Sequence, residues 1–175
     1  LQVLQLLKQQ LGHRPLPRAN LDHQVVRLRR DRTDDFVQYV LVGQEVLAEA
    51  LARAGASVLL VDLVKDPLSE AVDQLRQQGL VVEGLAVDVT SEGAADFVIR
   101  GALENFGACD ILVNNAGVTR GGKIFEYSRE DWDLTYQTNL LAPFELSRVV
   151  AKEMVKRKRG SIVNVTSLNA ELAFP

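Results

Sequence analysis

From residue 36 onward, short runs of β-branched residues alternate with stretches whose apolar residues recur at helical spacing. Such alternation confines the chain to parallel βαβ units, because parallel strands need a crossover rather than a tight turn. Val37–Val42, Ser57–Val61, Val81–Val87, Asp110–Val113 and Ser161–Val165 are the expected strands. They are mostly apolar, as strands covered by helices on both faces must be. Gln44–Ala54 sets Val46, Leu47, Ala50, Leu51 and Ala54 on one helical face, and Gly55 ends it. Asp66-Pro67 opens a second helix with an inner face of Leu68, Val72 and Leu75, closed by Gly79. Residues 91–106 are expected to form a third helix. Ser128 with Asp131 has the form of a capping pair and starts a helical stretch to about Lys158. The expected fold is α/β, a doubly wound parallel sheet flanked by helices, in one domain over residues 36–175.

The first 35 residues form an expected helical and basic extension, or the tail of a preceding segment. Leu4, Leu7 and Leu11 share a helical face, and Gln and Lys interrupt the apolar pattern too often for a secretory signal. Seven Lys/Arg against four Asp/Glu make residues 1–35 net +3, against −3 for the whole chain. The basic run Arg27–Arg32 reads as a solvated linker rather than a phosphate-binding arm. With net charge −3 and no long apolar run, neither nucleic acid nor a membrane is an expected partner. The single cysteine, Cys109, excludes an internal disulfide and suits a reducing, cytoplasmic setting. It reads as a small filler beside a strand rather than a nucleophile. No metal site is expected.

Ligands of open parallel sheets bind beyond the carboxyl ends of the strands, so the residues there carry the functional information. Asp62 ends the second expected strand. A carboxylate there can accept both hydroxyls of an adenosine ribose and repels a 2′-phosphate, which favours NAD over NADP. Asp88, in Ala86-Val87-Asp88-Val89-Thr90, either hydrogen-bonds an adenine, with Val89 beside it, or caps the next helix. The fourth strand runs into Asn114-Asn115-Ala116-Gly117, where small residues let the backbone turn sharply and approach a ligand.

In this order, that tetrad resembles the signature of the short-chain dehydrogenase/reductase family, classical type, whose fold is Rossmann-like. The resemblance covers roughly residues 36–175. It implies that Asn115, Ala116 and Gly117 hold cofactor, and that Asn139 offers its backbone carbonyl to a water of the proton relay. Gly160–Ser167 resembles the fifth strand and catalytic serine, so Ser167 would stabilise the charge growing on a substrate carbonyl oxygen. The implied function is a NAD(P)(H)-dependent oxidoreductase interconverting a secondary alcohol and a ketone. Gly117-Val118-Thr119-Arg120 and Asn169-Ala170-Glu171-Leu172 resemble sugar-acid and polyol dehydrogenases such as gluconate 5-dehydrogenases, with 3-oxoacyl reductases nearly as similar. In both groups the helices around residues 129–157 pack against a partner subunit, implying a homodimer or homotetramer.

Two departures stand out. The family carries a Thr-Gly-x-x-x-Gly-x-Gly turn after its first strand, the amides of which bind pyrophosphate. Here Val42 is followed by Gly43-Gln44-Glu45, and Gly43 matches only the last glycine. Either the cradle is lost or its residues are out of view; the faithful flanks favour the latter. The family's Tyr-x-x-x-Lys, which would transfer the proton, is expected beyond Pro175. Tyr39, Tyr127 and Tyr136 all precede Ser167 without a lysine four residues later, and read as packing residues. Taking both departures as real gives the alternative, a non-catalytic Rossmann nucleotide-binding or interaction protein.

Overall fold

The computed structural model describes residues 46–120 and 123–166. The extension 1–35, the expected strand Val37–Val42, Gly43, Ser167 and Asn169–Leu172 lie outside them. Helix α1 passes through residues 46–53. It is followed by β1 (Val58–Asp62), α2 (Lys65–Gln77), β2 (Val82–Ala86), α3 (Ala94–Phe106) and β3 (Ile111–Asn114). Then come α4 (Arg129–Tyr136), a π-helical turn (Gln137–Leu141), α5 (Ala142–Arg157) and β4 (Ser161–Asn164).

The helix ends follow local chemistry. Ser128 caps α4, its Oγ accepting from the Asp131 amide at 3.0 Å. Helix α3 begins three residues later than expected, at Ala94 rather than residue 91. The side chains of Asp88 and Ser91 bond into a turn there, and Gly93 takes a left-handed φ of 77°. The expected continuous helix 129–158 is interrupted. Within it the Ala142 amide reaches back five residues to the Gln137 carbonyl. Pro143 follows in the first turn of α5, where its missing N–H costs nothing.

The strands pair in parallel, as their apolar character requires. Val58 to Asp62 lie opposite Val82 to Ala86, and Ile111 to Asn114 opposite Ser161 to Asn164. Among the described residues they make two two-stranded sheets rather than the single sheet expected. Successive strand residues point to opposite faces. Leu60 therefore joins a core of Ala48, Ala52, Leu68, Val72 and Leu75 from α1 and α2. Val61, its neighbour, joins the other core, where Val98 and Ile99 of α3 meet Leu146, Val150 and Met154 of α5. This is the layering of a doubly wound fold. Glycine brings each layer close: a Cβ at Gly84 would stand 3.0 Å from Val72 Cγ2, and one at Gly101 3.2 Å from Leu85 Cδ2. At the amino end of β3, Asp110 receives Arg157 at 2.9 Å and Arg159 at 2.6 Å. These exposed pairs add little stability but tie β3 to the connection entering β4.

Candidate functional site

The carboxyl ends of β1, β2 and β3 carry most of the residues singled out from the sequence. Asp62, half-buried, closes β1. Its Oδ1 accepts from the Val64 amide at 2.8 Å. Its second oxygen has no hydrogen-bond partner among the described residues. That oxygen is available to a hydroxyl donor.

Asp88 is exposed past the end of β2. Its Oδ1 accepts from the Thr90 amide at 2.8 Å and from Thr90 Oγ1 at 2.6 Å. The cap of α3 is Gly93, without a side-chain bond, so Asp88 closes a turn upstream and does not cap the helix. Val89 packs against the core between α3 and α5. Its side chain is therefore structural, leaving only its backbone for a ligand.

The asparagines behave differently. Asn114 is 7% exposed, and its Nδ2 donates to Asn164 Oδ1 at 2.8 Å and to Ser147 Oγ at 3.1 Å. It thus joins β3, β4 and α5 at one point. Its Oδ1 is buried and has no partner among the described residues, an uncommon condition for an interior carbonyl oxygen. Asn139, exposed on the π-helical turn, bonds the loop after the tetrad in both directions. Val118 N–H donates to Asn139 Oδ1 at 2.9 Å, and Asn139 Nδ2 donates to the Val118 carbonyl at 2.8 Å. A Cβ at Gly117 would lie 3.5 Å from that Oδ1. Asn115 is half-buried and Ala116 exposed on the loop so held.

π-Helical turns often mark functional positions, because the extra residue frees backbone from the regular ladder. The sequence pointed to the Asn139 carbonyl and missed its side chain, which clamps Val118. Ser147 was missed as well, since a helix serine gives no signal of a partner 33 residues away. Asn164 stood within the quoted strand motif without a role. Tyr127 is half-buried and hydrogen-bonded to Thr135 Oγ1 at 3.1 Å, as a packing residue should be. Tyr136 is instead 48% exposed, which corrects its reading as a packing residue.

Cys109 packs against the α3–α5 core, with Sγ 3.6 Å from the Ile111 carbonyl. Burial first, and then the charge of Asp110, push its thiol above the ordinary range. A thiol held protonated is a poor nucleophile at neutral pH. Among the described residues no cluster of three or more His, Cys, Asp or Glu could hold a metal ion. No described helix is long and apolar enough to cross a membrane.

The family model for short chain dehydrogenases matches residues 42–175. An uncharacterized oxidoreductase of Escherichia coli (strain K12) is 42% identical over 124 residues, covering 71% of this chain and 47% of the relative. Gluconate 5-dehydrogenase of Gluconobacter oxydans (strain 621H) is 39% identical over 129 residues, covering 74% of this chain and 50% of the relative. Among solved structures, a gluconate 5-dehydrogenase from Burkholderia cenocepacia J2315, in complex with NADP and tartrate, aligns with a TM-score of 0.68. It is 32% identical, over 74% of this chain and 51% of that one. The chain thus spans about half the length of the relatives it matches.

Proposed function

The chain belongs to the short-chain dehydrogenase family, and we propose that it forms the dinucleotide-binding part of an oxidoreductase that interconverts a secondary alcohol and a ketone. The observation that carries this reading is the pairing of Asp62, with one carboxylate oxygen unbonded among the described residues, and the Asn115–Gly117 loop, held by Asn139. Both lie at carboxyl ends of parallel strands, where a dinucleotide would lie across the sheet edge. Asp62 would accept from the adenosine ribose, the backbone around Asp88 and Val89 would face the adenine, and Gly43 would border the pyrophosphate. The nicotinamide, when bound, would supply or take up the hydride. Ser167 would donate a hydrogen bond to the carbonyl oxygen, and the Asn139 carbonyl would hold a relay water in place.

Asp62 supports NAD rather than NADP, since a 2′-phosphate would meet a carboxylate there. The Burkholderia relative was seen with NADP, so the preference has to be tested on this protein itself. Asp62→Ala should narrow the ratio of kcat/KM for NAD over NADP by about tenfold, roughly 1.4 kcal/mol. Unchanged selectivity would remove Asp62 from the site. A sugar acid or polyol is the proposed substrate class, after the resemblance to gluconate 5-dehydrogenases. Turnover of gluconate against a 3-oxoacyl thioester by the full-length protein tests it. If calorimetry detects neither dinucleotide binding, the chain is a non-catalytic Rossmann protein instead.

The proposed assembly is a homodimer or homotetramer in a reducing compartment such as the cytoplasm. Trp132, Tyr136, Leu140 and Phe144, four residues apart along α4, the π turn and α5, are all exposed. Such a stripe suits a second copy of the chain. Phe144→Glu should shift the mass measured by light scattering towards the monomer.

A further inference from the structure

Four-residue spacing does not by itself keep side chains on one face of a helix. Each step of four turns through about 400°, so the run Trp132, Tyr136, Leu140, Phe144, Arg148 would spread over about 160° of a regular helix. The π turn corrects this. Its bond from the Ala142 amide to the Gln137 carbonyl takes one extra residue into a single turn, which gives back about 100°. The five side chains, all exposed, therefore return to one face, within roughly 90° of one another. That face is self-complementary. Two such helices laid antiparallel about Leu140 set Tyr136 of each copy against Phe144 of the other, and the Trp132 ring against the Arg148 guanidinium. A two-fold contact needs a surface that matches itself in this way.

The helices on either side of the turn are held very differently. Leu146, Val149, Val150 and Met154 bury α5 in the core against α3. Among the described residues α4 has none that is buried. That core therefore does not oppose relaxation of the π turn to a regular α turn, which would swing α4 by about 100° about its axis. Polar ties from the loop after β3 hold it instead. Asn139, on the turn, exchanges two hydrogen bonds with Val118, at 2.9 and 2.8 Å. Arg120 Nε lies 3.5 Å from Asp131 Oδ1. Both ties would part if α4 swung, and the stripe would lose its alignment at the same time.

We propose that the π turn couples two events: assembly with a second copy of the chain and dinucleotide binding at the loop 115–118 both select the π form, so each strengthens the other. Only in that form does the stripe present one face, and only in that form is the loop clamped. This coupling rests on the readings of Asn115–Gly117 as the cofactor loop and of the stripe as the subunit contact. It is reciprocal by thermodynamic necessity.

Binding of NADH and NADPH by the full-length protein, read by nicotinamide fluorescence over a range of protein concentrations, tests it. Affinity should be about tenfold tighter above the assembly midpoint, taken from sedimentation, than below it. Each bound nucleotide should tighten assembly by the same factor. Phe144→Glu, which leaves the loop untouched, should give a monomer that binds with the weaker constant at every concentration. Asn139→Ala should still assemble but lose the concentration dependence. In hydrogen exchange the Val118 and Ala142 amides should slow together on assembly. A monomeric Phe144→Glu protein that binds as tightly as the assembled parent would overturn the coupling and leave the cofactor reading intact. Assembly unaltered by Phe144→Glu would remove the stripe from the interface, and the coupling with it. If neither nucleotide binds at any concentration, the cofactor reading itself fails and takes the coupling down.

Discussion

The two sheets hold their polar side chains in opposite ways. At the ends of β1 and β2, the side chains of Asp62 and Asp88 bond, among the described residues, only to residues two positions on in the chain. At the end of β3, Asn114 reaches 33 and 50 residues away, and Asn139 reaches back 21 residues to Val118. A side chain engaged only by its own turn can be lost without disturbing other elements. One that joins three elements cannot. The carboxylates thus stand outside the frame that the asparagines hold together.

Substitutions should divide along that line. Asn114→Ala removes two part-buried hydrogen bonds and takes from Asn164 Oδ1 the donor it has here. It should cost about 2–3 kcal/mol, lowering Tm by roughly 5–10 °C in thermal unfolding. A loss below 1 kcal/mol would undo the contrast. Asn139→Ala should cost about 1 kcal/mol, concentrated in the loop, with the Val118 amide exchanging markedly faster by NMR while β2 amides are unchanged. Asp62→Ala should leave Tm within about 1 °C, since its one bond is local and partly exposed. A large drop there would make the acidic side as structural as the amide side.

The smallest effect concerns Cys109, on the frame side. Its thiol keeps the proton to higher pH when folded than when unfolded. The folded state then binds more protons in the thiol range, so stability falls as pH rises through it. In Cys109→Ala that part of the decline should vanish. Denaturant midpoints between pH 7 and 10 measure it, and iodoacetamide labelling of the native protein should have its midpoint above that of a free thiol.

Much of this division was legible beforehand where it depends on short range. Gly93 aside, the strands and helices of the described residues fell within a few residues of expectation, because burial on two faces forces apolar runs and Ser128 caps by a contact three residues long. The start of α3 was misplaced because the turn of Asp88, Thr90 and Ser91 competes with the helix for the same backbone. The π turn was illegible, since one extra residue in a helix leaves the apolar period almost intact. Asp62 could be found from its place at a strand end. The clamp of Asn139 on Val118 could not, as nothing local distinguishes it from any helix asparagine.

By itself, then, the order of residues determined the alternation of strands and helices, their apolar faces, and which side chains stand at the strand ends. Those properties follow from backbone period and local hydrogen bonding, which need no distant partner. Only the tertiary structure decided which polar groups became frame and which stayed available. It also brought residues of β1 and β3 to line one cavity. The former depends on atoms tens of residues apart being brought to between 2.8 and 3.1 Å, a distance that packing sets and sequence spacing does not.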